Sequence, residues 1–339
     1  MTILECGGHV AEVLHKDTGD LNPLWIQDRP TIDSDQFNVA VHGEIYGTDA
    51  EARLISGLSG HNLCFPFWGS PSLAEEVAGM TVHGETNIVR WECLETQANA
   101  LILSATLPNC AIRFERKLRC EGNLVYFSEV ARNLSAWDRP VGWCEHVTLG
   151  PPFLETDTTV IESNLTRGFQ TDNFGIELLW PQGRGATACM LTGFTSKQAP
   201  DLVNSFLVDP THEHGYFVAW HPAHRLLFGY IFKRTEFPWM NVWESNNDLR
   251  KTRGMEFSNT PVDGTTRRLV ERAEIWSVPV YEWLNAKSEL RKSYAAFALG
   301  ISSAFRGVSR VLIADGKLRI TEKETHETIT LDWKPDVEI

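Results

Sequence analysis

Residues 111–131, AIRFERKLRCEGNLVYFSEVA, decide the fold class of this chain. Apolar and polar side chains mostly alternate before Glu121-Gly122-Asn123, and a run rich in apolar, aromatic and β-branched residues follows it; both patterns are typical of strands. A glycine beside an asparagine favours a tight turn, because both residues tolerate the left-handed backbone that such turns need. The stretch therefore predicts an antiparallel β-hairpin.

Runs of the same kind occur along most of the 339 residues and are separated by Gly, Pro, Asn and Asp. They predict strands at 37–45, 87–96, 101–107, 111–120, 124–131, 187–192, 216–221, 226–233, 239–244 and 273–278. A second tight turn, Asp315-Gly316, joins predicted strands at 310–314 and 317–322. Many consecutive strands with short turns indicate an all-β fold, a large antiparallel β-sandwich.

Two segments are predicted to be helical. Residues 70–78 form a short helix with Ser72 as its N-cap. From about residue 280 to residue 299, apolar side chains share one broad helical face. We therefore predict a β-sandwich domain at residues 1–280, followed by an extension at residues 281–339 that packs on it as a C-terminal helix and a β-hairpin.

The composition disfavours several classes of function. Hydrophobic residues make up 42% and charged residues 22%, which is typical of a folded globular protein. The net charge of -13 disfavours nucleic-acid and anionic membrane partners, since both require a basic face. The first residues lack the pattern of a signal peptide, and no apolar run approaches about 18 residues. With seven irregularly spaced cysteines, best interpreted as reduced thiols, we expect a cytoplasmic protein, and the oligomeric state stays open.

Two ionisable side chains stand at the ends of predicted strands. His146 lies in EHVTLGPPF, residues 145–153, and Glu256 lies in RGMEFSNTP, residues 253–261. An imidazole can give a proton near neutral pH, and a carboxylate can take one. Each also has a structural interpretation, as a core histidine and as the partner of a nearby arginine. If Glu256 is buried, its pKa should rise, which suits a general base.

Polar and aromatic side chains near these two residues suggest a binding site. His83 precedes Gly84, so that the backbone can turn tightly beside an imidazole, and Asn246 follows a predicted strand end. Indole rings stack on the C–H faces of sugars, although core packing explains most of the 12 tryptophans. We predict that the substrate-binding residues include Trp68, Trp220, Trp243 and Asn246.

A metal site is the less favoured interpretation of a histidine-rich segment. His212, His214, His221 and His224 lie within thirteen residues, and His212 and His214 would share one face of a strand. A cupin-like site needs a further glutamate a few residues on, and the segment 216–220 contains none. We therefore predict exposed hairpin histidines and no metal ligand.

Taken in order, these strings resemble the aldose 1-epimerase (galactose mutarotase) superfamily. His83-Gly84 matches the first element of the family pattern, and residues 133–153 around His146 match the second. The third element fits best, with residues 238–246 followed by residues 254–261 around Glu256. The resemblance covers roughly residues 35–280.

The resemblance implies the fold, the substrate class and the roles of three residues. The family fold is a large antiparallel β-sandwich, the galactose mutarotase-like supersandwich. Glu256 would be the base that takes the proton of the C1 hydroxyl group of a sugar. His146 would be the acid that protonates the ring oxygen, and His83 would hold or polarise the sugar near that oxygen. This chemistry interconverts anomers of an aldose or aldose derivative without a cofactor.

The chain also departs from the family pattern. The family usually has an arginine before the first histidine, whereas residues 61–69 contain none. Asn62 or Arg90 could take its place as a substrate-binding residue. The identity of the sugar and its phosphorylation therefore stay open. Three alternative functions also stay open. They are a non-catalytic carbohydrate-binding protein, a lyase or hydrolase with a long open groove, and a metal-dependent cupin-like enzyme.

Overall fold

The computed structural model describes residues 1–171, 173–183, 189–194, 199–246 and 250–335. The strands before residue 150 are β1 (Thr2–Ile3), β2 (Val10–Glu12), β3 (His61–Cys64), β4 (Glu92–Thr96), β5 (Ala100–Leu107), β6 (Ile112–Glu121), β7 (Leu124–Asn133), β8 (Arg139–Val141) and β9 (Cys144–Leu149). The next strands are β10 (Val160–Ser163), β11 (Leu165–Gln170), β12 (Asn173–Leu179), β13 (Gln182–Gly183), β14 (Cys189–Met190), β15 (Ala199–Val208), β16 (His214–His221), β17 (Leu226–Lys233), β18 (Trp239–Asn246) and β19 (Lys251–Ser258).

The remaining strands are β20 (Glu274–Ile275), β21 (Val278–Pro279), β22 (Glu282–Leu284), β23 (Glu289–Gly300), β24 (Val308–Ala314), β25 (Lys317–Glu322) and β26 (Thr328–Asp332). The described helices are α1 (Val39–Tyr46), α2 (Ala52–Gly57), α3 (Leu73–Val77) and α4 (Thr266–Arg272). Among the described residues, every helix is too short or too polar to traverse a lipid bilayer.

Two large antiparallel sheets form the sandwich that the sequence predicts. The front sheet has nine strands in the order β1-β2-β3-β9-β19-β18-β15-β11-β12. The back sheet has eight strands in the order β10-β16-β17-β23-β7-β6-β5-β4. The hairpin of β6 and β7 turns at Glu121-Gly122-Asn123 and lies in the back sheet, as predicted.

The main core fills the space between the two sheets. Leu63, Val147 and Phe257 from the front sheet are fully buried in one cluster with Phe114 and Phe127 from the back sheet. Full burial of each side chain of this size stabilises the fold by roughly 1.5–3 kcal/mol. Because side chains alternate along a strand, the neighbours of the core residues on the front sheet point to its outer face.

The predicted C-terminal helix at residues 280–299 is wrong, because this segment forms β22 and β23. Strand β23 lies between β17 and β7 in the middle of the back sheet. Tyr294 and Ala296 face the main core, whereas Phe297 and Leu299 face a second apolar cluster. A strand that is buried on both faces loses its alternation of apolar and polar residues, and its apolar run then resembles a helix.

The second cluster is covered by a small sheet of β24, β25 and β26. The hairpin of β24 and β25 turns at Asp315-Gly316, as predicted, and β26 adds a third strand. Because β23 belongs to the main sandwich, the extension consists of the small sheet after residue 300 and not of the whole segment 281–339.

Local predictions had mixed outcomes. The short helix at residues 70–78 is confirmed as α3, with a capping box between Ser72 and Glu75. The predicted strand at 37–45 is wrong, since Asn38 caps α1 there by accepting a hydrogen bond from the N–H of Ala40. The predicted strand at 187–192 lies partly outside the described residues.

Candidate functional site

A pocket of about 230 Å³ opens on the outer face of the front sheet. His83, His146 and Glu256 all line it, although 173 residues separate the first from the last in the chain. A cavity of this volume suits a small ligand better than a polymer or a drug-sized molecule. A larger surface cavity, of about 290 Å³, lies near Glu95 and Lys117 and combines no imidazole with a carboxylate.

Strand register brings the two proton carriers together. His146 on β9 lies directly opposite Glu256 on β19, and Asn62 on β3 lies directly opposite His146 on its other side. The His146 Nε2 atom is 3.1 Å from Oε1 of Glu256, and Nδ1 is 3.1 Å from the Thr148 hydroxyl oxygen. Because a carboxylate only accepts hydrogen bonds, we assign the ring proton to Nε2 and let Nδ1 accept from Thr148.

Burial changes the acid–base properties of both members of this pair. The side chains of His146 and Glu256 are 9% and 1% exposed. Burial raises the pKa of Glu256 well above its ordinary value and lowers the pKa of His146 well below its ordinary value. Burial therefore shifts both side chains toward their uncharged forms.

A strained turn holds His83 beside this pair. His83 and Gly84 have φ angles of 66° and 88°, both in the left-handed region. A Cβ atom on Gly84 would lie 2.2 Å from the carbonyl oxygen of Phe65, so that only glycine fits there. The His83 ring centre lies 5.3 Å from that of His146.

Backbone and side-chain contacts of His83 have opposite effects on its protonation. The N–H of Gly69 donates to Nδ1 of His83 at 2.9 Å, so that the neutral ring carries its proton on Nε2. Burial lowers the pKa of His83, but the Cys64 sulfur and the Glu256 carboxylate outweigh burial and raise the pKa to about 9. A second proton on the ring would have to displace the hydrogen bond from Gly69.

Two buried polar atoms in the pocket lack a hydrogen-bond partner among the described residues. They are Oε2 of Glu256 and the indole N–H of Trp68. The indole is close enough to Glu256 to lower its pKa, although the contact lacks hydrogen-bond geometry. One atom accepts and the other donates, and both are shielded from solvent, so a ligand hydroxyl group could satisfy both only after the surrounding side chains shift.

The wall of the pocket contains residues that the sequence did not single out. Trp25 and the predicted Trp243 supply indole rings, and the Arg250 guanidinium lies 5.4 Å from the Trp243 ring centre. Glu51 and Asp263 add carboxylates to the lining. Most of these side chains come from loops and helix ends, where the sequence has no periodic signal.

Of the other predicted binding residues, some line the pocket and others lie outside its lining. Trp68 and Trp243 line the pocket with the three candidate catalytic residues. Asn62 is buried beside His146 without lining the pocket, and its amide donates to Oδ1 of Asn87 at 3.3 Å. Asn246 is buried at the end of β18 and also lies outside the pocket lining.

The structure corrects the assignment of Arg90 and Trp220 to this site. Arg90 is held by the carboxylates of Glu5, Asp33 and Asp35 at 2.7–3.0 Å, so its charge is already compensated. Trp220 lies in the second cluster, under the small sheet. Its ring centre is 5.2 Å from that of Phe305.

The histidine-rich segment forms separate local contacts, and the prediction of exposed histidines is wrong for His214 and His221, which are buried. His221 bonds to Glu155 at 2.7 Å, and its ring centre lies 4.3 Å from that of His224. His212 instead pairs with Asp209 at 3.4 Å. Within the described ranges, no three His, Cys, Asp or Glu side chains are arranged to hold a metal ion.

Solved structures of low sequence identity share this fold. A galactose mutarotase related enzyme from Lactobacillus acidophilus matches with a TM-score of 0.59 and 10% identity, over 88% of this chain and 94% of its own. A galactose mutarotase-like protein from Clostridium acetobutylicum matches with a TM-score of 0.57 and 12% identity, over 88% and 92%. A candidate aldose 1-epimerase from Klebsiella pneumoniae matches with a TM-score of 0.59 and 11% identity, over 83% and 72%.

Sequence comparison adds nothing to this result, because no family profile and no curated protein matches the chain. The structural matches confirm the predicted fold class. The chain shares the all-β sandwich fold of these aldose 1-epimerase and galactose mutarotase-like structures.

Proposed function

We propose that this protein is a mutarotase-like isomerase that interconverts the anomers of an aldose or aldose derivative. The observation that carries the proposal is the buried pair of His146 and Glu256 at the floor of a pocket, with Oε2 of Glu256 unpartnered among the described residues. Ring opening requires one group that takes a proton and one that gives a proton, within reach of the same sugar.

Glu256 acts on the anomeric hydroxyl group. In the proposed complex the Trp68 and Glu256 side chains shift, so that the C1 hydroxyl donates to Oε2 of Glu256 and accepts from the indole N–H of Trp68. The raised pKa makes the Glu256 carboxylate a stronger base than an exposed carboxylate. It takes the hydroxyl proton as the C1 carbonyl forms and the bond from C1 to the ring oxygen breaks.

His146 delivers a proton to the ring oxygen. Nε2 of His146 carries a proton when Glu256 is ionised. His83 lies beside His146 in the lining of the same cavity, and we assign it a supporting role near the ring oxygen. Rotation about the C1–C2 bond and reversal of both proton transfers then give the other anomer, and the pair returns to its starting state.

The walls of the pocket suit a sugar. Trp25, Trp68 and Trp243 offer indole faces for the C–H surfaces of a pyranose. Glu51, Asp263 and Arg250 supply hydrogen-bonding groups around the same cavity. Mixed apolar and charged lining of this kind is typical of small-molecule sites, where a few polar groups fix the orientation of the ligand.

The experiment measures anomer exchange in a panel of aldoses by NMR, with purified protein and its variants. Glu256→Gln and His146→Gln should each reduce the exchange rate by roughly two to four powers of ten. Glu155→Gln is the matched control, because Glu155 also bonds a histidine, His221, but lies outside the pocket. It should exchange anomers at the rate of the unaltered protein.

A second result would favour the alternative of a carbohydrate-binding protein without turnover. In that case a sugar would bind saturably in the pocket, and the unaltered protein would leave the exchange rate at its uncatalysed value. Equal activity of all three variants with an active parent protein would instead contradict the assigned roles.

A further inference from the structure

Two cysteines face each other directly beneath the pocket. Cys64 on β3 and Cys144 on β9 are register partners, and both are fully buried free thiols. Directly opposed residues of antiparallel strands have Cα atoms about 4.5–5.5 Å apart. This distance lies within the range of about 4.4–6.8 Å that a disulfide bond requires.

The surroundings of Cys64 favour a reactive sulfur. The Asn62 amide donates to the Cys64 sulfur at 3.7 Å. Burial raises the pKa of Cys64, but a hydrogen bond from the Cys144 thiol and the charge of His83 outweigh burial and lower the pKa to about 6. Burial raises the pKa of Cys144 well above its ordinary value. One thiol therefore forms a thiolate readily, and the other keeps its proton.

The thiol pair packs against residues that line the pocket. Cys64 packs with Trp68, which also lines the pocket, and the Cys64 sulfur contacts His83. Val203 packs on the same cluster and lines the same cavity. Both thiols are fully buried, so an oxidant in the pocket reaches them only if the Trp68 side chain is displaced.

We propose that Cys64 and Cys144 are a redox-active pair which a hydroperoxide converts to a disulfide, and that this bond withdraws the Cys64 sulfur from His83. The Cys64 thiolate attacks one oxygen of the peroxide, so that an S–OH group forms and hydroxide leaves. The released hydroxide takes the proton of the Cys144 thiol and becomes water, and the Cys144 thiolate then attacks the Cys64 sulfur, so that the S–S bond forms and hydroxide leaves. The two thiols lose two electrons, and the hydroperoxide gains them.

The disulfide removes an interaction that stabilises the protonated form of His83. A sulfur in a disulfide carries no charge, so the oxidised protein holds a protonated His83 less well than the reduced protein does. On the proposed function, anomer exchange should fall about tenfold, which is the effect expected for one hydrogen bond to a charged group. A thiol reductant should restore the original rate.

The test treats the native protein with hydrogen peroxide, blocks the remaining thiols and maps disulfides by mass spectrometry without reduction. We expect a link between Cys64 and Cys144 that a thiol reductant removes, while Cys110 stays reduced because burial and Glu85 raise its pKa. Cys144→Ser should give no link, and its Cys64 should be trapped as a sulfenic acid. Circular dichroism verifies that each sample is folded.

Histidine NMR separates this proposal from the proposed function. The His83 ring should titrate at lower pH in the oxidised protein than in the reduced protein, whether or not the protein turns over any sugar. Folded protein that forms no link between Cys64 and Cys144, or a link that leaves His83 unchanged, would overturn the proposal. If the disulfide forms and the titration of His83 changes, but the protein does not exchange anomers, only the proposed function is contradicted.

Discussion

The position of the Glu256 carboxylate depends on Gly254, the smallest residue of strand β19. Gly254 precedes Glu256 by two residues on β19, so both lie on the pocket face. A Cβ atom on Gly254 would lie 2.6 Å from Oε1 of Glu256 and 3.2 Å from Cβ of Trp243. Because Gly254 has only a hydrogen atom in place of a side chain, the Glu256 carboxylate has room to reach His146.

Gly254→Ala should displace the Glu256 carboxylate without removing any polar group. We expect kcat/KM for anomer exchange to fall by about ten- to a hundredfold, because a misplacement of about 1 Å has effects of this size. Gly193→Ala is the control, since a Cβ atom there meets no atom of the described residues within 4 Å. Unaltered kinetics of Gly254→Ala, measured on folded protein, would contradict the assigned position of Glu256.

At the scale of the element, one strand serves both the core and the site. On β9, Glu145 points into the sandwich, where it accepts from Trp143 and Tyr294 at 2.8 and 2.9 Å. His146, the next residue, points into the pocket. Alternation along the strand thus accounts for two adjacent polar residues, of which only the second belongs to the site.

The turn that carries His83 is sensitive to a single added methyl group. Gly84→Ala should lower the free energy of unfolding by at least about 2 kcal/mol more than Gly122→Ala, because both positions have positive φ but only Gly84 abuts backbone. Urea unfolding of both variants measures the difference. Equal stability of the two variants would show that the contact with Phe65 is unimportant.

The sequence predicted some elements better than others for physical reasons. Strand β6 has one face toward the core and the other toward polar surroundings, so apolar and polar residues alternate along its sequence. Strand β23 is buried on both faces, and its pattern therefore resembled a helix. In α1 the β-branched residues Val39 and Val41 suggested a strand, but both are exposed, and the Asn38 cap decided the structure.

At the scale of the whole molecule, a polar network joins the two sheets behind the pocket. His61 on the front sheet bonds to Glu145 at 2.9 Å and to the Tyr230 hydroxyl of the back sheet at 3.0 Å. Arg116 of the back sheet donates to the carbonyl oxygen of Gly8 at 2.8 Å. These buried groups have hydrogen-bond partners within the fold, which offsets the cost of removing them from water.

The candidate site could be predicted from the sequence only in part, because it is assembled from segments that lie far apart in the chain. The residues at 83, 146 and 256 stand in strings whose order matched a family, and these three line one pocket. Arg90 and Trp220 were wrongly included, because proximity in sequence says nothing about which sheet or loop a side chain faces. Trp25 and Asp263 were missed, since only the assembled fold brings their loops to the cavity.

Acid should destabilise the molecule through a buried neutral histidine. His9 accepts from the N–H of Ser59 at 3.1 Å, and burial lowers its pKa to about 4. Below pH 6.5 the unfolded chain binds a proton that the folded chain does not, so stability is lost as the pH falls toward 4. Between pH 7 and pH 4, the unaltered protein should lose about 3 kcal/mol more unfolding free energy than His9→Gln. If the unfolding free energies of the two proteins, measured in urea, changed with pH in parallel, His9 would not be the origin of the acid sensitivity.

The most direct test of the account is a crystal structure of the Glu256→Gln variant with a bound aldose, since this variant should retain the sugar without turning it over. We predict the C1 hydroxyl within about 2.6–3.2 Å of the side chain at position 256, and the ring oxygen within the same distance of Nε2 of His146. A sugar bound in the pocket with its C1 atom directed away from both side chains, or bound elsewhere on the protein, would contradict the central claim.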